Sequence, residues 1–427
     1  MRYCIWMGTV CLCYKKLDVE GTGAVSFVCR VWLRDKAAVP LFAERIEMMN
    51  RIKSDRIIAG DRLVSGYVYV EGGKIAAVTS EELPYDVEYD KTGLYVSPGF
   101  IDTHTHGGAG HAFYGSAKDV VDACNFHLTH GTTSICPTIS AAPFEIMQES
   151  VVQSGLAKAD PELKANLIGL HMEGPYLSKE QCGAQSTSFI TPPIAEQYER
   201  LINEIPGMIV RWTYAPENDE GGRFCKYLTE HGIIASAGHT NATGEEMERA
   251  MEQGCKLITH LYSCTSTVTR HQGFRRLGVI ETAYLYDDMY VEIIADGRHL
   301  PTDLIRLILK IKGSDRVMLC TDSMAIAGTD VTRGKTLNTE FIIEDEVCKL
   351  IDRSAFAGSI ATADRLIRVL VHEVGVSVLE AVKMLTKVPA EILGLNKGVL
   401  EAGRDADIVV FDDDVRVQDV FVMGKKK

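Results

Sequence analysis

Residues 98–107 have the sequence Pro-Gly-Phe-Ile-Asp-Thr-His-Thr-His-Gly, in which a short apolar run is followed by two histidines. On a β-strand, side chains two residues apart leave the same face, so the imidazoles of His104 and His106 can converge on one metal ion. Side chains that commonly bind metal ions, placed at the end of an apolar strand, are typical of a metal-dependent (β/α)8 barrel enzyme. The stretch therefore predicts a buried strand that carries part of a metal site.

The same arrangement recurs along the chain. Four further side chains that commonly bind metal ions each follow a short apolar run, namely Glu173, His239, His260 and Asp322. Imidazole nitrogens and carboxylate oxygens suit zinc or iron, and no cluster of thiolates competes for that role. We therefore predict a site for Zn²⁺ or Fe²⁺ that is built from residues far apart in the sequence.

Strand-like and helix-like stretches alternate along most of the chain, as a parallel sheet requires. The predicted strands are Leu94–Ile101, Ser134–Ile139, Leu167–Leu170, Met208–Tyr214, Ile233–Ala237, Lys256–Ile258, Met289–Ala295 and Val317–Cys320. Helix-compatible stretches between them include Ala117–Thr129, Pro193–Glu204, Arg223–His231, Gly244–Gln253 and Pro301–Lys312. We predict an α/β fold with a (β/α)8 TIM-type barrel over residues 98–397, whose chemistry lies at the C-terminal ends of the strands.

Several of these segments together resemble a known group of enzymes. They are residues 98–107, His171–Tyr176, Ala237–Ala242, Thr259–Tyr262, Asp296–His299 and Thr321-Asp322. They resemble the amidohydrolase superfamily and, within it, the family of N-acetylglucosamine-6-phosphate deacetylases, over about residues 51–425. The His-x-Glu-Gly-Pro and Gly-His-Thr-Asn-Ala segments are the most specific, whereas His-x-His indicates the superfamily only.

The resemblance implies that three side chains hold the main metal ion: Glu173, His239 and His260. His104 and His106 would hold a second ion, with Glu173 as the bridge and Asp322 nearby. Members of the family that lack the His-x-His pair use one metal, so we expect one or two ions per subunit. Dihydroorotase-like branches place a carboxylated lysine where Glu173 stands, and its absence here argues against them.

The implied reaction is hydrolysis of the acetamide of N-acetylglucosamine 6-phosphate to glucosamine 6-phosphate and acetate. A metal ion lowers the pKa of bound water to about 7 and polarises the amide carbonyl, so metal-bound hydroxide is the expected nucleophile. Asp322 is expected to take the proton of the attacking water as general base. It would then deliver that proton to the departing amine, which leaves poorly unless protonated.

The resemblance also implies contacts with the sugar phosphate. The expected substrate-binding residues are Ala184, Gln185, Ser263, Cys264, Arg275, His299, Phe356, Ala357 and Gly358. Arg275 aligns with an arginine that binds phosphate from a neighbouring subunit, which implies a homodimer, and Arg276 is the alternative. Ser263-Cys264 replaces the family's Asn-Ala, although backbone amides there can still bind phosphate. An N-acetylgalactosamine-6-phosphate deacetylase therefore remains an alternative.

The two ends of the chain carry short alternating strands. Gly66–Glu71 and Lys74–Val78 flank Gly72-Gly73, which is a hairpin signal, and Ala406–Phe411 and Val417–Val422 have a similar pattern. As in the resembling family, residues 49–97 and 398–427 are predicted to form one small β-sandwich domain.

Residues 1–48 fit neither unit, and we interpret them as a leader of doubtful origin outside the fold. Leu337–Ile343 and Glu346–Ile351 predict a hairpin-like insertion after the eighth strand.

Composition narrows the functions further. A chain of 427 residues with 46% hydrophobic residues can bury a large core, and its net charge of −13 argues against nucleic-acid binding. Twelve cysteines without paired spacing indicate reduced thiols in the cytoplasm. No apolar run approaches the length of a membrane span, about 20 residues.

Two other functions remain open: a deaminase or cyclic-amide hydrolase, and a catalytically silent scaffold. The intact ligand set argues against the scaffold.

Overall fold

The computed structural model describes residues 49–337 and 339–427, and before residue 49 it describes only the backbone of four strands. These strands, β1–β4, are Arg2–Met7, Val10–Asp18, Val25–Leu33 and Val39–Pro40. They pair with one another in chain order. The interpretation of residues 1–48 as a leader concerns a segment that, apart from these strands, lies outside the described residues.

From residue 50 onward the chain forms further strands and helices. Strands β5–β9 are Asn50–Ala59, Arg62–Glu71, Lys74–Thr79, Val87–Asp90 and Tyr95–Pro98. Strands β10–β22 are Phe100–Thr105, Gly107–Gly108, His111–Ala112, Thr132–Ser140, Asn166–Leu167, Leu170–Glu173, Ile209–Tyr214, Ile234–Ala237, Leu257–Ile258, Thr269–His271, Phe274–Arg276, Tyr290–Ile293 and Val317–Leu319. Strands β23–β28 are Arg333–Thr336, Thr339–Glu344, Val347–Leu350, Ile408–Phe411, Val417–Val422 and Lys425–Lys426. Helices α1–α10 are Ala117–Thr129, Phe144–Lys158, Ala195–Glu204, Arg223–Glu230, Gly244–Glu252, Val279–Leu285, Thr302–Lys312, Ala363–Val369, Val378–Met384 and Lys387–Leu393.

Eight strands form a parallel barrel in the order β10, β13, β15, β16, β17, β18, β21 and β22. Its first and last strands are joined just beyond β22, where the Asp322 amide donates to the His104 carbonyl at 2.9 Å and the His106 amide to the Ser323 carbonyl at 2.8 Å. Helices follow the strands and pack outside them, as in other (β/α)8 barrels. The predicted TIM-type barrel is confirmed.

Two predicted strands differ from the structure by more than one or two residues at an end. The run 94–101 divides at Gly99, so that Tyr95–Pro98 joins the small sheet and Phe100–Thr105 begins the barrel. The third barrel strand is Leu170–Glu173, which begins where the predicted strand ends. Both barrel strands extend beyond their apolar runs because their inward positions carry buried polar residues, which hydrophobicity does not detect.

The small sheet combines strands from both ends of the chain, in the order β28, β27, β26, β9, β5, β6 and β7. Ile408 lies opposite Pro98 and Val410 opposite Val96 in the antiparallel pairing of β26 with β9. Its inner face has a core of its own that includes Ile52. The predicted small β domain is therefore present, and it combines strands from both ends of the chain as expected.

A buried carboxylate lies between this sheet and the lower end of the barrel. Asp407 Oδ2 accepts hydrogen bonds from Lys397 Nζ at 2.6 Å and from Asn166 Nδ2 at 2.8 Å. Its Oδ1 accepts from the Met423 amide at 2.8 Å. Asp407 therefore connects Lys397 and Met423 to Asn166, which is 241 residues away in the sequence, at the end of the barrel opposite the candidate site.

A three-stranded antiparallel sheet, β23–β25, follows the eighth barrel strand. The sequence predicted a two-part insertion here, and the structure adds Arg333–Thr336 as a third strand. Thr339 Oγ1 donates to the Ala184 carbonyl at 2.8 Å, so the insertion lies against the mouth of the barrel. Across the described ranges, no helix is both long and apolar enough to cross a membrane.

Candidate metal centre and active site

Three of the predicted ligands form a compact group at the barrel mouth. Glu173 Oε1 lies 3.0 Å from His239 Nε2 and 3.1 Å from His260 Nε2, and the two imidazole nitrogens are 3.2 Å apart. A tetrahedral zinc ion with bonds of about 2.0–2.1 Å needs ligand atoms about 3.3 Å apart. The spacing of the three atoms therefore fits a single divalent ion.

The other predicted ligands form a second group beside the first. His106 Nε2 lies 3.0 Å from Asp322 Oδ1, and His104 Nε2 lies 3.5 Å from the same oxygen. Glu173 contacts this group too, with Oε1 3.4 Å from His104 Nε2 and Oε2 3.5 Å from His106 Nε2. Among the described residues His104 Nε2 is buried without a hydrogen-bond partner, which is the condition of a nitrogen that binds a metal.

Backbone conformation directs several of these side chains across the mouth. His239, His260 and Asp322 have φ angles of 46°, 28° and 48°, in the left-handed region that side chains other than glycine rarely adopt. Each follows a barrel strand by two or three residues. Strained residues of this kind cost about 1–3 kcal/mol each and concentrate at functional sites. The strain is therefore evidence that the cluster has a function.

The electrostatics of the cluster favour ionised carboxylates. Burial by itself would raise the pKa of Glu173, but the imidazoles of His104 and His239 outweigh it and hold that pKa well below its ordinary value. The pKa of Asp322 is also lowered, because the hydrogen bond from His106 and the field of His104 outweigh the effect of burial. At neutral pH both groups can therefore act as anionic ligands or proton acceptors.

Every member of the cluster except His104 lines a cavity of ≈ 340 Å³, a size suited to a small polar ligand. Eight of the nine predicted substrate-binding residues line it: Ala184, Gln185, Ser263, Cys264, His299, Phe356, Ala357 and Gly358. Residues of the insertion, including Leu337 and Phe341, line it as well. The structure thus brings together most of the residues that the motifs selected.

Gln185 lies directly against the candidate ligands. Its Nε2 donates to Glu173 Oε2 at 2.9 Å, and its Oε1 accepts from the Ala141 amide at 2.8 Å. The preceding turn needs glycine at position 183, where φ is +56° and an added Cβ would lie 2.8 Å from Cys264 Sγ. This turn therefore fixes Gln185 beside Glu173.

His299 and Phe356 form one wall of the cavity. His299 Nδ1 lies 2.9 Å from Asp296 Oδ2, which leaves the other ring nitrogen for a ligand. Its ring meets that of Phe356 edge to face, with centroids 4.9 Å apart. An added Cβ at Gly358 would lie 3.0 Å from the Asp322 carbonyl oxygen, so only glycine permits this close approach of the backbone.

Two segments are expected to bind phosphate: Arg275 or Arg276 across a subunit interface, and the backbone amides at Ser263-Cys264. Arg275 and Arg276 lie on the β19–β20 hairpin, are exposed, and do not line the cavity of their own chain. Arg275 Nη1 instead donates to the Gly273 carbonyl at 3.2 Å. Of the two backbone amides at Ser263-Cys264, that of Ser263 donates to the His260 carbonyl at 2.8 Å, because the chain turns sharply there.

A buried ion pair that the motifs did not reveal lies beneath the cluster. Arg211 and Glu292 form an ion pair inside the barrel, and both side chains are almost fully buried. His171 Nε2 lies 2.7 Å from Thr213 Oγ1 in the same layer, where burial and then Arg211 hold its pKa well below the ordinary value. The available signal was the presence of charged residues inside predicted apolar strands.

Comparisons with known proteins agree with this geometry. The model of the amidohydrolase family matches residues 95–427. The chain is 31% identical to the N-acetylglucosamine-6-phosphate deacetylase of Bacillus subtilis, over 86% of this chain and 94% of that protein. It is 29% identical to the N-acetylgalactosamine-6-phosphate deacetylase of a Shewanella strain, over 83% and 88% of the respective chains.

A solved structure is similar over nearly the same extent. It is a variant of the N-acetyl-D-glucosamine-6-phosphate deacetylase of Mycobacterium smegmatis in complex with N-acetyl-D-glucosamine-6-phosphate. The two structures superpose with a TM-score of 0.81 and 27% sequence identity, covering 89% of this chain and 99% of that one.

Proposed function

The chain belongs to the amidohydrolase family, as its motifs predicted, and we propose that it hydrolyses the acetamide of N-acetylglucosamine 6-phosphate. The products are glucosamine 6-phosphate and acetate. The observation that carries this function is the cluster of four imidazoles and two carboxylates at the barrel mouth, all but His104 lining the cavity, in a chain that is similar to deacetylases over most of its length. Amidohydrolases are generally metal-dependent, and the cluster fits that requirement.

Zn²⁺ or Fe²⁺ suits these ligands best, because imidazole nitrogens and carboxylate oxygens dominate the donor set. Glu173, His239 and His260 would hold one ion. His104, His106 and Asp322 would hold a second, with the Glu173 carboxylate shared between the two groups. A bound divalent ion supplies an activated water at neutral pH and polarises the amide carbonyl.

Asp322 is the proton carrier in this proposal. Its carboxylate borders the cavity, is 8% exposed, and lies 3.0 Å from His106 Nε2. As general base it takes the proton from the attacking water, and as general acid it gives that proton to the nitrogen of the departing amine. Without this transfer the amine would leave as a poorly stabilised anion.

The remaining cavity residues orient the sugar. Gln185 is an amide donor next to Glu173, in reach of an acetamide oxygen that is held at the cluster. His299, which is fixed by Asp296, supplies a hydrogen bond from the opposite wall. Phe356 and Gly358 offer an aromatic face and an accessible backbone to the sugar ring. The cavity can therefore bind the substrate by several polar contacts of fixed geometry.

A homodimer would complete the phosphate site. Arg275 from a second copy of the chain, or Arg276, would supply the positive charge that the cavity needs in a protein of net charge −13. Apolar side chains on and beside the hairpin support this assembly, because Phe274 is 77% exposed, Val268 44% and Leu277 41% in the single chain. An apolar exposed patch of this kind is typical of an interface.

Two finer assignments accompany the function. The eight cysteines among the described residues are all free thiols, which supports a reducing compartment, the cytoplasm. The galactosamine epimer is the second candidate substrate, since Ser263-Cys264 alters the segment next to the sugar and a Shewanella relative is an N-acetylgalactosamine-6-phosphate deacetylase.

The test is acetate release by the purified protein after reconstitution with Zn²⁺ or Fe²⁺. N-acetylglucosamine 6-phosphate, its galactosamine epimer and a dihydropyrimidine are compared at equal concentration, and bound metal is measured in the same samples. Preferred turnover of the glucosamine substrate supports the proposal. Turnover of the dihydropyrimidine alone, or no turnover in metal-loaded protein, would overturn it.

A further inference from the structure

The barrel interior contains a buried ion pair directly below the candidate metal ligands. Arg211 lies on β16 and Glu292 on β21, and their side chains are 1% and 0% exposed. Arg211 Nη2 donates to Glu292 Oε1 at 3.1 Å, and Nη1 donates to Glu292 Oε2. Thus two parallel hydrogen bonds hold the carboxylate in one orientation.

Hydroxyl groups from neighbouring strands hold the guanidinium in place. Arg211 donates to Thr103 Oγ1 at 3.1 Å, to Thr259 Oγ1 at 3.0 Å and to Ser236 Oγ at 3.2 Å. These contacts and the two to Glu292 use the donors of the guanidinium. A buried charge with this many partners has little freedom to move, so Glu292 is rigidly supported.

Glu292 in turn contacts two of the candidate metal ligands. Its Oε1 lies 3.0 Å from His104 Nδ1 and accepts from the His260 backbone amide at 3.2 Å. A carboxylate at Nδ1 requires that nitrogen to carry the proton, which leaves Nε2 of His104 free to bind a metal. That Nε2 is the atom that faces Glu173 and Asp322.

The other candidate imidazoles have different partners at Nδ1. That of His239 lies 2.8 Å from the Gln181 carbonyl, and that of His106 lies 3.1 Å from Ser140 Oγ. For His260, Nδ1 is buried without a hydrogen-bond partner in the described part of the chain. Within that part, His104 is therefore the one ligand imidazole whose Nδ1 meets a carboxylate, which makes its Nε2 a stronger donor to a metal.

Stability alone does not explain such a pair. Moving two charges out of water costs several kcal/mol per ion, and well-packed apolar residues of similar size are often as stable or more stable. Most interior positions of a (β/α)8 barrel are filled by branched apolar side chains. An ion pair at this depth, in contact with His104, is better explained by the orientation that it imposes.

We propose that Glu292 is a positioning residue for His104, that Arg211 holds Glu292 in place, and that the pair sets the affinity of the ion bound by His104, His106 and Asp322. This inference rests on the proposed function only in the assignment of these three residues as metal ligands. It predicts an asymmetry between the two groups of ligands. The ion at Glu173, His239 and His260 depends much less on the pair, because Glu292 meets the ring of His104 but only the backbone amide of His260.

The experiment compares zinc binding by metal-free forms of the full chain. Glu292→Gln keeps the shape but leaves Arg211 buried without a counter-charge, so it can fail to fold. The double variant Arg211→Met with Glu292→Gln removes both charges and keeps an acceptor at position 292. A matched control is Lys397→Met with Asp407→Asn, which neutralises a buried ion pair at the other end of the barrel.

Each metal-free protein is titrated with Zn²⁺ in competition with a chromophoric chelator, and its thermal unfolding is recorded. We expect two binding steps in the unmodified chain. In the Arg211→Met, Glu292→Gln variant one step should weaken by about 10- to 100-fold and the other by less than about threefold, because outer partners of ligand imidazoles have effects of this size. The control variant should retain both affinities.

Three results would overturn the inference: both affinities unchanged in the Arg211→Met, Glu292→Gln variant, an equal loss in both steps, or a single binding step in the unmodified chain. These measurements contain no substrate. A protein that binds two zinc ions but releases no acetate would therefore contradict the proposed function and leave the positioning role of Glu292 intact.

Discussion

Glu173 and His260 are 87 residues apart in the sequence, yet Glu173 Oε1 lies 3.1 Å from His260 Nε2 at the mouth of the barrel. The same carboxylate also contacts His104, His106 and His239. Glu173 is therefore the one group of the candidate site that faces all four imidazoles. Loss of its charge affects both proposed metal positions at once.

We expect Glu173→Gln to lose metal and activity together. A neutral amide is a weak metal ligand, so the affinity for Zn²⁺ should fall by more than about 100-fold, beyond the loss seen when outer partners are removed. Bound metal after dialysis and acetate release measure the effect. Glu180→Gln makes the same chemical change at an exposed position nearby and should leave both unchanged. Full metal occupancy in Glu173→Gln would contradict the assignment.

Asp322→Asn should separate metal binding from turnover. The asparagine oxygen can still occupy the ligand position, but it cannot accept a proton, so kcat should fall by about 10²- to 10⁴-fold. Metal content and kcat are measured on the same preparation, with the exposed Asp330→Asn as a control. Near-normal turnover of Asp322→Asn would remove the general base from the proposal.

Arg275→Ala tests the phosphate contact and the homodimer. KM for the phosphorylated substrate should rise by about 10-fold or more, because a charge-assisted hydrogen bond is lost, whereas turnover of unphosphorylated N-acetylglucosamine should change little. Arg276→Ala is the matched variant, and the larger effect identifies the arginine that binds phosphate.

Mixing two impaired variants, with the substrate well below its KM, extends this test. If Arg275 acts across a two-fold interface, an equal mixture of Arg275→Ala and Asp322→Asn subunits should regain about a quarter of the competent sites after exchange. Acetate release before and after subunit exchange measures the recovery. No recovery in demonstrated mixed dimers would mean that Arg275 does not serve the neighbouring site.

Gly183→Ala should impair the site rather than the whole fold. Position 183 has φ +56°, and the new methyl group would lie 2.8 Å from Cys264 Sγ and 3.4 Å from His239 Cε1. Gly221→Ala is the control, because φ there is +71° but nothing lies within 4 Å of the added Cβ. Both variants should lose about 1 kcal/mol of unfolding free energy from backbone strain, and only Gly183→Ala should lose turnover. Equal activities would argue against close packing at Gly183.

Asp407→Ala should destabilise the fold without changing the chemistry. The substitution leaves the Lys397 ammonium, whose side chain is 10% exposed, without its partner at 2.6 Å. Breaking one side of a buried pair costs about 3–5 kcal/mol, whereas neutralising both sides costs much less. Urea unfolding of Asp407→Ala and of the Lys397→Met, Asp407→Asn variant compares the two cases. Similar free energies of unfolding would show that Lys397 finds another partner or reaches water.

The sequence alone determined the fold class and most of the site. Apolar runs that alternate with helical stretches are local patterns, and they suffice for a parallel barrel because each strand and helix is coded within its own segment. His104 and His106 are two positions apart, and strand geometry by itself places them on one face. The other ligands were found because each follows an apolar run, and strand ends of a barrel share one rim.

Only the tertiary structure decided what depends on contacts between distant strands. Arg211 and Glu292 meet because β16 and β21 face each other across the barrel interior. The sequence of one strand does not indicate that its charged residue pairs with that of the other. The Ser263 amide donates a hydrogen bond to the His260 carbonyl because of a turn that the residue types do not specify. Arg275 lies on an exposed hairpin that does not line the cavity of its own chain. Local sequence encodes the elements and their faces, whereas the pairing of buried polar groups is fixed only when the packed barrel brings them together.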